Sequence, residues 1–165
     1  MKKLKVYLDT SIINFLKAED SPDYRRDTEY FFETVITTGK INAYVSRLVF
    51  EEINNTEDEI RRKELLDIFT KYPNIKTLVA DDNNIDDIEF LAKTYIDNEI
   101  IPRKNFADAF HIAYSTVFQM DILLSWNFKH LANIKKEQKI LIVNKLNGFN
   151  YPFRMTNPLE VLYYE

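Results

Sequence analysis

The sequence predicts an α/β fold built on a short, mainly parallel sheet. Three observations predict it. Short apolar runs of β-forming residues alternate along the chain with longer stretches of helical periodicity. Polar residues able to start a helix follow these runs closely, as Asp9 follows Val6–Leu8 and Ser46 follows Ile41–Val45. The chain has 165 residues, 45% of them hydrophobic. It shows no internal repeat, low-complexity segment or linker, so one domain over residues 1–165 with a real core is expected.

Taken in order, Val6, Tyr7 and Leu8 read as a first strand ending in Asp9. Ser11 to Lys17 reads as a short helix, and Ser21 with Pro22 can start the next. Tyr24 to Thr38 repeats apolar residues at helical spacing, and Gly39 fits just past its end. Ile41 to Val45 is a second strand, with Ser46 as cap of a helix from Arg47. Thr56 to Tyr72 is charged and amphipathic and stops at Pro73. Ile75 to Val79 is a third strand, and Asp81 to Asn84 leads into a helix over Ile85 to Ile96. Pro102 breaks the chain before a helix over Asn105 to Phe118. Asp121 opens a fourth strand, Ile122 to Leu124. Asn127 to Lys145 reads as largely helical, Phe149 to Thr156 as an edge strand because it contains Pro152, and Leu159 to Tyr164 as a short terminal segment.

Composition excludes several functions. There is no cysteine, so disulfides and thiolate metal sites are ruled out. Two histidines are too few for a multi-histidine zinc site, so any metal would be held by oxygen, which favours magnesium or manganese. Two glycines cannot supply a dinucleotide fingerprint or a phosphate-cradling loop. The N-terminal apolar run stops at Asp9 and no stretch is long enough to span a bilayer, so a soluble cytoplasmic protein is expected. A net charge of −4 argues against a general nucleic-acid binder, but not against an enzyme whose carboxylates are neutralised by bound metal.

The carboxylates carry the functional reading. A charge at the edge of a core is costly without a partner, and in open α/β sheets ligands collect beyond the carboxyl ends of the strands. Asp9 stands at such an end; its simpler reading is a helix cap beside Thr10 and Ser11. Glu52 shares the inward face of Leu48 and Val49, whereas Glu51 points to solvent. Asp108 sits among Ala107, Phe110 and Ile112 at the start of its helix, either as a ligand or as a first-turn acid favoured by the helix dipole. His111 lies on the same face as Asp108, where it could contact substrate, shuttle a proton, or simply bond a carboxylate inside the protein. His130 is expected at the surface near the same rim.

These stretches, VYLDTSIINF, VSRLVFEEI, ADAFHIAYS and DILLSWNFKHL, resemble a PIN domain of the kind found in VapC-like toxins of bacterial toxin–antitoxin pairs. The resemblance implies a three-layer α/β/α fold with helices flanking a central parallel sheet. It also implies a metal-dependent ribonuclease with magnesium or manganese in an acidic pocket. Asp9, Glu52 and Asp108 match the family acids, as catalytic residues and metal ligands. Asn127 stands where the family often has an acid or an Asn, and His130 where a further acid can occur. Thr10, Ser11, His111 and Ser125 are the candidate substrate contacts, with Arg47, Arg103, Lys104 and Lys129 guiding RNA. A homodimer and an antitoxin partner are expected, the former also from abundant aromatics in Tyr24–Phe32 and Tyr151–Tyr164.

Two other classes compete. One is a PIN-like module with weakened chemistry that binds RNA or protein without cutting, favoured by the missing final acid. The other is a phosphatase or phosphoacceptor domain. A haloacid-type phosphatase needs a second Asp two residues after the first, and that position is Ser11.

Overall fold

In a computed structural model, residues 2–162 are described. Five strands form one sheet in the order β3-β2-β1-β4-β5, every neighbouring pair parallel: β1 (Lys5–Leu8), β2 (Asn42–Ser46), β3 (Lys76–Leu78), β4 (Ile122–Leu124) and β5 (Arg154–Thr156). The chain runs outward from β1 to β3, then returns to the other side of β1 for β4 and β5. The carboxyl end of β1 is therefore the switch point of the sheet, where ligands of such folds bind.

Strand alternation divides the core. Val6 and Leu8 pack into one cluster and Tyr7 into the other. The first face is covered by α1 (Thr10–Phe15), α2 (Pro22–Phe31), α3 (Arg47–Asn54), α4 (Glu59–Lys71) and α8 (Pro158–Leu162). The second is covered by α5 (Ile85–Asp97), α6 (Phe106–Val117) and α7 (Ile134–Leu146). The expected three-layer α/β architecture is observed. No helix among the described residues is long and apolar enough to cross a membrane.

Several boundaries differ from expectation, each for a local reason. The helix after Ser21 starts at Pro22 and widens into a π-turn over Phe32–Ile36, closed by Thr37 N donating to Phe32 O. Ser46 makes no capping bond, because its hydroxyl is engaged by Tyr7. Asp58, not Thr56, caps α4 by accepting from Ile60 N and Arg61 N. The expected helix Asn127–Lys145 is cut short: Asn127 Oδ1 caps a turn by accepting from Lys129 N and His130 N, and α7 begins only after its own cap, Asn133. The edge strand shrinks to Arg154–Thr156, which leaves Pro152 outside it.

The aromatic segments expected to be exposed are divided between core and surface. Phe31, Phe32 and Phe153 are buried, and the Tyr151 hydroxyl donates to Asp121. Tyr163 and Tyr164 lie outside the described residues. Tyr24 and Tyr30 are exposed as expected.

Candidate active site

The acidic residues converge at the carboxyl edge of the sheet, beside β1. Asp9 caps α1: its Oδ1 accepts from Ile12 N (3.3 Å) and from Ser11 Oγ (2.6 Å). Its Oδ2 accepts from Ser125 Oγ (2.5 Å), just past β4. The cap and the site reading of Asp9 are thus one arrangement. Glu52 points inward from α3, and its Oε1 meets His111 Nε2 (2.6 Å) and accepts from Thr10 Oγ1 (2.7 Å). Glu51 is exposed and pairs with Arg47. Asp108 Oδ2, in the first turn of α6, accepts from Asn127 Nδ2 (3.2 Å).

Four hydroxyl and imidazole groups thus act as holders of the carboxylates. Thr10 and Ser125 are buried, Ser11 is half-buried, and each donates to Asp9 or Glu52. His111 is buried with both ring nitrogens engaged, so it orients Glu52 from inside the protein and has no free nitrogen to offer a substrate. Its second contact, Tyr7, is not among the candidate residues of the sequence analysis. Tyr7 Oη lies 2.6 Å from His111 Nδ1 and 2.7 Å from Ser46 Oγ. The signal was present but ambiguous: a Tyr inside a short buried strand must find a partner for its hydroxyl. His130, expected at the surface, is buried in the turn after Asn127.

The electrostatics follow from this packing. Burial raises the pKa of Asp9, against the charge of His111 and the Ser11, Ser125 and Ile12 hydrogen bonds. Burial also raises Asp108, to about 6, with the charges of Asp9 and Glu52 adding to it and the charge of His111 and the hydrogen bond from Asn127 opposing it. Burial pushes Glu52 up as well, but the bond to His111 and its charge outweigh that, and Glu52 ends below its ordinary value. His111 is pulled down by burial and up more strongly by Glu52, Asp9 and Asp108, so it favours the imidazolium form. Protonated, it donates from Nε2 to Glu52 and from Nδ1 to Tyr7 Oη, and the Tyr7 proton goes to Ser46 Oγ.

As oriented, the acids face hydroxyls and the imidazole, and no set of three His, Asp or Glu side chains among the described residues is arranged to hold a metal ion. The donor chemistry nonetheless suits one. All the candidate ligands are hard oxygens, and no Lys or Arg among the described residues forms an ion pair with Asp9, Glu52 or Asp108.

No family model matches the chain, and no curated protein matches it in sequence. Among solved structures it is similar to VapBC2 from Rickettsia felis, crystallised bound to a DNA fragment from their promoter. The TM-score is 0.52 at 14% identity, over 82% of this chain and 92% of that one. At that identity the likeness is one of fold, and it agrees with the α/β architecture described above.

Proposed function

We propose that this chain is a magnesium- or manganese-dependent endoribonuclease of the VapC-like toxin kind, held in check by an antitoxin protein. One observation carries the reading: Asp9, Glu52, Asp108 and Asn127 come from four separate segments and are tied by hydrogen bonds to the residues around the switch point of a parallel sheet, Asp9 through Ser125, Asp108 through Asn127 and Glu52 through Thr10. The fold likeness to a VapBC protein supports it, as does the sequence resemblance to PIN domains. RNA as substrate, an antitoxin as partner and a homodimer follow from that resemblance.

Asp9, Glu52 and Asp108 would hold the divalent ion. When bound, such an ion polarises water for attack on a phosphodiester and stabilises the charge that develops. The chain's own groups do the rest. Ser11 and Ser125 fix Asp9, Thr10 and His111 fix Glu52, and Asn127 fixes Asp108. Fixed ligands of this kind reduce the reorganisation needed at the moment of reaction. Burial raises the Asp108 carboxyl to about 6 before any ion binds, so taking up the ion would release its proton.

The test is cleavage of a mixed RNA pool with magnesium or manganese, comparing wild type with Asp108→Asn. The expected loss is at least about 100-fold, the kinetic equivalent of several kcal/mol of charge stabilisation. Equal cleavage by both proteins would move the chemistry elsewhere. A second reading, a binding module without cutting, is favoured by Asn127 in place of an acid and by the inward-turned carboxylates. Cleavage by neither protein, with RNA or a partner still bound, would leave that reading standing.

A further inference from the structure

The segment after β4 alternates between two jobs. Ser125 and Asn127 turn to the carboxylates, through Asp9 and Asp108. Trp126 and Phe128 turn the other way, into a group of rings with Tyr24 and Phe15. The Tyr24 ring centroid lies 4.9 Å from that of Trp126 and 6.3 Å from that of Phe128, and Phe128 lies 6.1 Å from Trp126. Phe15 packs edge-on against both Tyr24 and Trp126.

This group is rigid beneath and open above. Trp126 is only 5% exposed and is pinned twice, its Nε1 donating to Thr28 Oγ1 and its backbone N to Ser11 Oγ, each at 2.9 Å. Tyr24 and Phe128 are 39% and 45% exposed. Exposed Lys129 follows Phe128 directly. Lys104 is also exposed, and Lys136, Lys129 and Lys104 add positive charge around His130, the residue after Lys129.

Two half-exposed aromatic faces on a fixed base, flanked by lysines and one residue from a carboxylate-bound Asn, match one kind of occupant. An unpaired nucleobase offers a flat π-face of any sequence, and its flanking phosphates suit the lysines. A duplex cannot supply it, because its bases are stacked inside the helix.

We propose that Tyr24 and Phe128 form a stacking step for an unpaired base of single-stranded RNA, with Lys129 taking an adjacent phosphate, so that the strand passes the carboxylates from this side. This deepens the ribonuclease reading and rests on it.

The chain contains a single Trp, so Trp126 itself reports on the step. The full chain is titrated with a mixed-sequence single-stranded RNA octamer and with a hairpin duplex, read by Trp126 fluorescence and by anisotropy of the labelled RNA. Phe128→Leu keeps apolar bulk and removes the π-face; Phe128→Tyr restores it. The expected result is an affinity for the single strand about ten-fold weaker in Phe128→Leu, within the range of one lost base stack. Phe128→Tyr should recover it, and Tyr24→Leu should repeat the loss. Binding of the octamer by Phe128→Leu as tightly as by wild type would overturn the proposal, as would failure of wild type to bind the octamer. A dimer in solution that Phe128→Leu makes monomeric, with RNA affinity unmoved, would also overturn it and assign the patch to a second copy. If Asp108→Asn cuts like wild type while Phe128→Leu still loses the single strand, the nuclease reading fails and the step stands. If Asp108→Asn abolishes cutting while Phe128→Leu changes nothing, the step fails and the nuclease stands.

Discussion

The two histidines of this chain sit in opposite fields. His111 is 2% exposed, held at both nitrogens, and surrounded by Glu52, Asp9 and Asp108. His130 is 6% exposed, its Nδ1 has no hydrogen-bond partner, and its charged neighbours are Lys136, Lys129 and Lys104. The difference teaches how a chain with net charge −4 could meet a polyanion. Negative charge is gathered around His111 and positive charge around His130.

The sharpest way to break the comparison is to loosen the acidic half from beneath. Tyr7→Phe deletes a hydroxyl that is fully buried and leaves His111 Nδ1 and Ser46 Oγ without that partner. A loss of about 2 kcal/mol is expected, typical of leaving buried polar groups unpaired. Urea unfolding measures it. A midpoint like that of wild type would mean that water or a rearranged Ser46 replaces the hydroxyl, and that His111 is not held as described.

How much of this was legible in the sequence depends on whether the signal was local. The strands could be read because apolar β-formers stop abruptly at polar residues, as at Asp9. Glu52 could be assigned inward because one helix turn fixes its face. What could not be read were partnerships across 39 to 116 positions: Tyr7 with Ser46, Thr10 with Glu52, Ser125 with Asp9. Ser46 looked like a cap because its neighbours allow one, and only the packing of β1 against β2 shows that its hydroxyl is taken. Asn127 looked like the start of a helix for the same reason, since an Asn that caps a turn and an Asn that caps a helix read alike until Asn133 competes for the role. His130 was misassigned because a histidine between Lys129 and Leu131 carries no periodic signal for its burial.

A smaller effect sharpens the comparison from the acidic side. The pKa of Asp108 is raised in the fold, so its contribution to stability is full at low pH and is lost as pH rises through about 6. At pH 7 without metal its ionised form is a cost, and Asp108→Asn removes it. A gain of about 1 kcal/mol is expected once the shift is discounted for solvent screening at this half-open position. Millimolar magnesium or manganese should then raise the melting temperature of wild type and leave Asp108→Asn nearly unmoved, since preferential binding to the native state is what stabilises it. Wild type and variant responding alike to the ions would detach Asp108 from any metal site.

The smallest effect is also the most direct, because with two histidines each resonance in an NMR titration can be assigned by a single substitution. His111 should titrate above its ordinary value of about 6.5 and His130 below it. The consequences for stability run in opposite directions. His111 gains partners in the fold, so its contribution is complete below about pH 6.5 and disappears as pH rises through its raised pKa. His130 is kept neutral first by burial and then by the lysines, so its contribution is present above about pH 6.5 and falls away toward its lowered pKa. The two changes fall on opposite sides of about pH 6.5, where Asp108 also titrates, which is why the resonances and not the melting curve are the measurement to make. Lys129→Gln and Lys104→Gln should each move the His130 midpoint upward and leave that of His111 where it was. A His130 midpoint that ignores both substitutions would mean that burial and Lys136 set it, and that Lys129 and Lys104 add no field at this turn.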